Sequence, residues 1–166
     1  SLLYLWKNAR TYDLWAHASA EVGVVFCTVV LLTGPIWARP VWGVWWTWDA
    51  RLTTTLVLWL IYVGYLMLRA YVPEPERQAR YAAVVGIVGF LDVPIVHLSV
   101  VWWRTLHPGP TVLRRAGLAD LPGSMHVALW SMLLALTLLF LFLLRQRAGL
   151  ERERDLLAAL KARAGE

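Results

Sequence analysis

Within seven residues the sequence sets four indoles, Trp42, Trp45, Trp46 and Trp48, and follows them with Asp49 and Arg51. Broad apolar faces with N–H donors at their edges suit a flat, amphipathic, aromatic ligand. Gly43, inside the cluster, gives the backbone freedom to fold around such a ligand. Arg51 offers a fork of donors to a ligand carboxylate, or alternatively pairs locally with Asp49. The competing reading of the indoles is an aromatic belt at a membrane–water boundary. A belt accounts for Trp6, Trp37, Trp59 and Trp130 singly, but less readily for four tryptophans in one short stretch. A second group follows downstream in Val101-Trp-Trp-Arg-Thr-Leu-His-Pro-Gly-Pro, which places Trp102, Trp103, Arg104 and His107 together. Neutral imidazole is the commonest protein ligand for metal ions, haem iron among them. A lone loop histidine is otherwise an ordinary solvated side chain. His107 gains weight as a ligand because it shares a side of the molecule with the tryptophan loop.

The remaining ionisable groups carry less. His97, in Pro94-Ile-Val-His, is expected to hydrogen-bond a neighbouring helix. His17 lies on the wrong side for the tryptophan loop, and His126 is a candidate ligand with nothing beside it to support the role. Glu21 and Asp92 fall inside apolar stretches, where carboxyls are rare and face other helices. Both read as polar contacts between helices or protonated acids, since nothing connects them into a chain across the membrane. No nucleotide loop, nucleophile–base pair or carboxylate pair occurs, so the chemistry available is binding and positioning.

These residues need elements to hold them, and composition says which. Of the 166 residues 59% are apolar and 16% charged, with a mean hydropathy of +0.55. An ordinary soluble domain has about 45–50% apolar and about 25% charged residues, so a soluble enzyme and a disordered tail are both excluded. The single cysteine, Cys27, excludes an internal disulfide or a cysteine-based metal cluster. Four stretches are long enough to cross a hydrocarbon core, which takes about 20 residues: about 14–37, 52–72, 81–103 and 125–144. Lipid admits only helices there. The expected fold class is therefore all-α, a polytopic membrane protein of one domain, with Pro35 and Pro94 marking bends or helix ends. Lys7–Arg10, Arg69–Arg80 and Arg145–Arg163 hold eleven of the sixteen Lys and Arg residues, which puts both termini in the cytoplasm. Two loops, 38–51 and 104–124, then face outward. The tail 145–166 reads as a short surface helix or a partner contact. The net charge of +5 follows from this asymmetry and gives no reason to invoke nucleic acid.

Trp42-Gly-Val-Trp-Trp-Thr-Trp-Asp-Ala-Arg-Leu-Thr resembles the "WWD" signature of the haem-handling membrane proteins of cytochrome c maturation. Leu60-Ile-Tyr-Val-Gly-Tyr and the later Pro-Ile-Val-His and Val-Trp-Trp-Arg-Thr-Leu-His-Pro-Gly narrow the resemblance to the CcmC branch. The likeness runs in register from about Trp6 to His107 and weakens beyond.

That resemblance implies a protein of the bacterial cytoplasmic membrane that binds haem b at its extracytoplasmic surface and presents it to the haem chaperone CcmE. It implies CcmD and the ATP-binding-cassette pair CcmA and CcmB as further partners, besides membrane lipid. It makes His107 an axial ligand, with Trp42, Gly43, Trp45, Trp46, Trp48 and Asp49 as the WWD residues. Trp103 joins the aromatic site, and Arg51 or Arg104 are candidates to neutralise the haem propionates on charge alone. The family has six membrane helices and a second axial histidine in a Leu-His-Val-Pro context. Four helices are found here and no residue matches that histidine, so the chain is expected to lack the first two helices. Two other readings stand beside this one, a cofactor-free scaffold subunit and a haem b electron carrier.

Overall fold

A computed structural model describes residues 1–103, 105–109 and 122–164. It contains five helices among them: α1 (Leu2–Lys7), α2 (Arg10–Trp42), α3 (Ala50–Tyr71), α4 (Pro75–Trp102) and α5 (Gly123–Ala164). The last four are long and apolar enough to cross a membrane, and the all-α polytopic expectation holds. Most of their large apolar side chains point away from the protein, Leu32, Phe90 and Leu134 among them. A water-soluble bundle buries such residues, whereas a lipid-facing one has no reason to.

Small residues bring the helices together. The tightest approach is between α3 and α4, where a Cβ at Gly89 would stand 2.7 Å from the Tyr62 ring and 3.2 Å from Ile61. Tyr62 donates to the Gly86 carbonyl at 3.2 Å, and Ala20, Tyr65 and Ala82 close the centre of the packing. Trp59 Nε1 of α3 donates to Thr28 Oγ1 of α2 at 2.8 Å, a polar tie between apolar helices. Gly89→Ala is expected to push α3 and α4 apart and lower the thermal midpoint measured in detergent, whereas Gly64→Ala, with nothing near its Cβ, is not.

Buried charge gathers at one end of this group. Arg69 of α3 forms a bidentate pair with Asp13 of α2 at 2.6 and 2.9 Å, both residues being buried. Helix α5 lies antiparallel on α2, as successive contacts show: Phe26 with Phe140, Glu21 with Arg147, His17 with Glu151, and Arg10 with Asp155.

Several boundaries differ from those the sequence suggested. Helix α2 continues to Trp42 with Pro35 and Pro40 inside it, and α4 continues through Pro94. The non-helical part of the first loop is therefore only 43–49, with Trp42 and Arg51 on helices. No separate surface helix forms at 145–164, because α5 runs through Arg145 without a break.

Candidate functional site

The tryptophan loop and His107 meet where α2 ends and α3 begins. Gly43 stops α2 with φ at +79° and its N–H bonded to the Arg39 carbonyl, a left-handed cap that suits glycine. Its Cβ would meet nothing within 4 Å, so the cost of a side chain is conformational alone. Gly43→Ala is expected to destabilise the loop by about 1 kcal/mol, read as a lower thermal midpoint, with Gly43→Asn milder.

Asp49 starts α3. Its Oδ1 accepts from the Leu52 backbone N–H at 2.8 Å, the standard way a helix satisfies a free first-turn donor. Its Oδ2 does something else. It accepts from Thr105 Oγ1 at 2.7 Å and from His107 Nδ1 at 2.8 Å. Thr105 in turn accepts from the His107 backbone N–H at 3.1 Å, which sets the turn that carries the imidazole.

The consequence is a fixed tautomer. A carboxylate can only accept, so Nδ1 carries the proton and the Nε2 lone pair is left available. Among the described residues nothing hydrogen-bonds to Nε2. Trp42 packs edge-on against the imidazole at 4.9 Å and 77°, and Trp37 packs on Trp42 at 5.1 Å. A ligating histidine whose other nitrogen is held by a carboxylate is the usual arrangement at protein-bound metals.

Asp49 is nearly buried, which by itself raises a carboxyl pKa. The hydrogen bonds from Leu52, Thr105 and His107 outweigh this and bring it below the ordinary carboxylate value. A depressed folded value means that this carboxylate stabilises the loop above its unfolded pKa, about 3.9. That contribution is lost as pH falls through the lowered folded value. The loss of this contribution is therefore expected as a change in tryptophan emission in acid below about pH 4.

The sequence-derived residues do not all converge. Trp45 and Trp48 are exposed, while Trp46 packs edge-on to Trp48 at 5.6 Å. Trp46 Nε1 and the Thr47 hydroxyl are buried without a partner among the described residues. Trp103 follows α4 and stacks edge-on with Trp102 at 5.8 Å. Arg51 makes no ion pair with Asp49, whose oxygens go to Leu52, Thr105 and His107. Arg104 lies outside the described residues. His97 makes no hydrogen bond among the described residues, so the expected tie to a neighbouring helix is not seen there. His126 is half-buried at the start of α5. Glu21 meets Arg147 across a helix interface, as a polar contact should, whereas Asp92 is buried with Oδ2 unpartnered among the described residues. Thr105 escaped the sequence reading, although a threonine two residues before the histidine was signal enough for such a turn.

Residues 1–159 match the family model CcmC, Heme exporter protein C. The chain belongs to the CcmC family. Relatives called Heme exporter protein C include one from Bradyrhizobium diazoefficiens, 46% identical over 84% of this chain and 52% of its own length. That of Escherichia coli K12 is 41% identical over 63% of this chain and 42% of its own. That of Paracoccus denitrificans is 39% identical over 98% and 68% respectively. The chain thus spans about half the length of the first two and about two thirds of the third. The CcmC match covers both the tryptophan loop and the His107 turn.

Proposed function

We propose that this chain supplies part of a haem-presenting site at the extracytoplasmic face of the bacterial cytoplasmic membrane, with haem b as cargo in cytochrome c maturation. The observation that carries the reading is the Asp49–His107 pair beneath Trp42, with Nε2 of the imidazole left free. The donor set suits haem. One neutral nitrogen is pre-oriented for iron, and the exposed indoles of Trp45 and Trp48 offer apolar faces to a porphyrin. Arg51 and Arg104 are the candidate partners for its propionates.

Haem supplies the reactive chemistry, and the chain's residues bind, orient and shield. Asp49 holds the ring of His107 and raises its basicity, while Thr105 and Trp42 limit its rotation. A site of this kind, open at the molecular edge, holds cargo for handover rather than sealing it in a bundle. The receiving partner in this reading is CcmE, with CcmD and the CcmA/CcmB transporter alongside. The excess of Lys and Arg at the opposite end supports placing both described termini in the cytoplasm.

The test is a haem titration of the chain in lipid nanodiscs, followed at the Soret band. Saturable binding that His107→Ala abolishes and added imidazole restores is the expected result. Haem binding untouched by His107→Ala would remove the proposal, and no binding at all would favour the scaffold reading.

A further inference from the structure

A cavity of about 590 Å³ lies among α1, α2, α3 and α4, lined by none of the tryptophan-loop residues and not by His107. That volume falls within the usual size of small-molecule sites, about 300–1,000 Å³. One face of α2 forms its floor, from Tyr12 and Trp15 through Ser19 and Gly23 to Cys27. Trp59 and Tyr62 of α3 and Phe90 of α4 stand at its sides, and Phe90 is 60% exposed. The polar tips on these walls have partners inside the protein. Trp59 Nε1 donates to Thr28, Tyr62 donates to the Gly86 carbonyl, and Cys27 Sγ lies 3.8 Å from the Thr55 carbonyl oxygen. What remains for an occupant is apolar surface. Among the described residues no histidine lines the cavity, so haem would find no axial ligand there.

The floor runs from Trp15 to Cys27, about 18 Å at the usual helical rise. That is close to the depth of one leaflet of a hydrocarbon core about 30 Å thick. Its mouth lies at the end of the helices where Lys and Arg are concentrated. Tyr12 and Trp15, three residues apart, are neighbours on the α2 surface, and each carries a cation. Lys7 Nζ donates to the Tyr12 hydroxyl at 3.4 Å, and the Arg152 guanidinium stands 5.9 Å from the centre of the Trp15 ring. Both cations are exposed, and neither has a carboxylate partner among the described residues. The acids around them are engaged elsewhere: Asp13 with Arg69 and Arg10, Asp155 with Arg10, and Glu151 with Arg147 and Arg154. Glu153, two residues beyond Glu151, is turned about 200° around α5 from the side that meets α2. An apolar groove one leaflet deep, with two uncompensated cations at its mouth, matches an acyl chain below a phosphate.

We propose that this cavity is a binding site for an anionic phospholipid, with one acyl chain along α2 and the phosphate at Lys7 and Arg152. The whole chain in a non-ionic detergent is titrated with phosphatidylglycerol and with phosphatidylcholine of the same acyl chains, and bound lipid is counted by native mass spectrometry. One phosphatidylglycerol is expected to be retained, about tenfold or more tightly than phosphatidylcholine, with the preference shrinking as salt is raised. Gly23→Leu fills the groove, since a Cβ there meets nothing within 4 Å. It should remove the bound lipid without lowering the thermal midpoint. Lys7→Glu combined with Arg152→Glu should shift the preference to a cationic lipid of the same chains, a gain of binding that a misfolded chain cannot give.

Equal retention of phosphatidylglycerol and phosphatidylcholine overturns the proposal, as does retention that Gly23→Leu leaves unchanged. Haem that displaces phosphatidylglycerol from the unaltered chain but not after His107→Ala would tie the lipid to the His107 site instead. Displacement by haem in both would give the cavity to haem, and a dimer that Gly23→Leu abolishes would give it to a second copy. Each of these contradicts a lipid site. The proposal does not rest on the haem-presenting reading, and lipid retention in His107→Ala is expected to be unaltered.

Discussion

Asp49→Asn is expected to leave the fold intact and to weaken haem binding about 10- to 100-fold, the usual effect of removing the group that holds a metal-ligating histidine. Asparagine keeps an oxygen to cap α3 through the Leu52 N–H, so the helix start survives. Its amide NH₂ then faces Thr105 and His107 Nδ1, which now sit against a donor instead of an acceptor. The imidazole is driven to the other tautomer, with its proton on Nε2 and its lone pair turned inward. Asp49→Ala loses the cap as well, which adds about 1 kcal/mol of destabilisation. Circular dichroism and Soret titration on the two variants separate these effects. Equal loss of helix in both would mean that Asp49 acts only as a cap.

The largest stability effect is expected at Asp13, at the other end of the molecule. Asp13→Ala strands the buried Arg69 guanidinium, which already has Nε without a partner among the described residues. Removing one member of a buried ion pair costs about 3–5 kcal/mol because the other charge stays uncompensated. Arg10 loses its 2.6 Å contact to Asp13 at the same time. Asp155→Ala is the matching control. Its pair with Arg10 is nearly half exposed on both sides, and such pairs contribute about 0–1 kcal/mol. Thermal unfolding in detergent should show a large loss for the first and almost none for the second.

The parts of this molecule visible in the sequence are those with a one-dimensional signature. Four apolar stretches gave four spanning helices, and the grouping of Trp42, Trp45, Trp46 and Trp48 marked the loop. His107 stood out for its place after Trp102 and Trp103. What was not legible depends on partners far apart in sequence. The 2.8 Å bond from His107 to Asp49 joins residues 58 apart, so Asp49 was legible as a WWD residue or a partner for Arg51, not as the group that orients the histidine. Its role as a helix cap was readable, since an acid precedes the apolar run of α3.

Helix ends were misplaced for two physical reasons. Pro35 suggested a bend or a helix end, yet the helix runs on through it because lipid leaves the backbone no better partner than its own helix. The charges after Leu144 likewise suggested a break. Ala, Leu, Glu and Arg are good helix formers, however, and Arg147, Glu151 and Asp155 tie the extension to α2.

The central claim is that His107 offers Nε2 to haem iron while Asp49 holds Nδ1. The resonance Raman spectrum of the chain loaded with ferrous haem tests it most directly, through the iron–histidine stretch. The expected result is a band in the unaltered chain, shifted to lower frequency in Asp49→Asn and absent in His107→Ala. A band that survives His107→Ala, or one that Asp49→Asn leaves unmoved, would contradict the account.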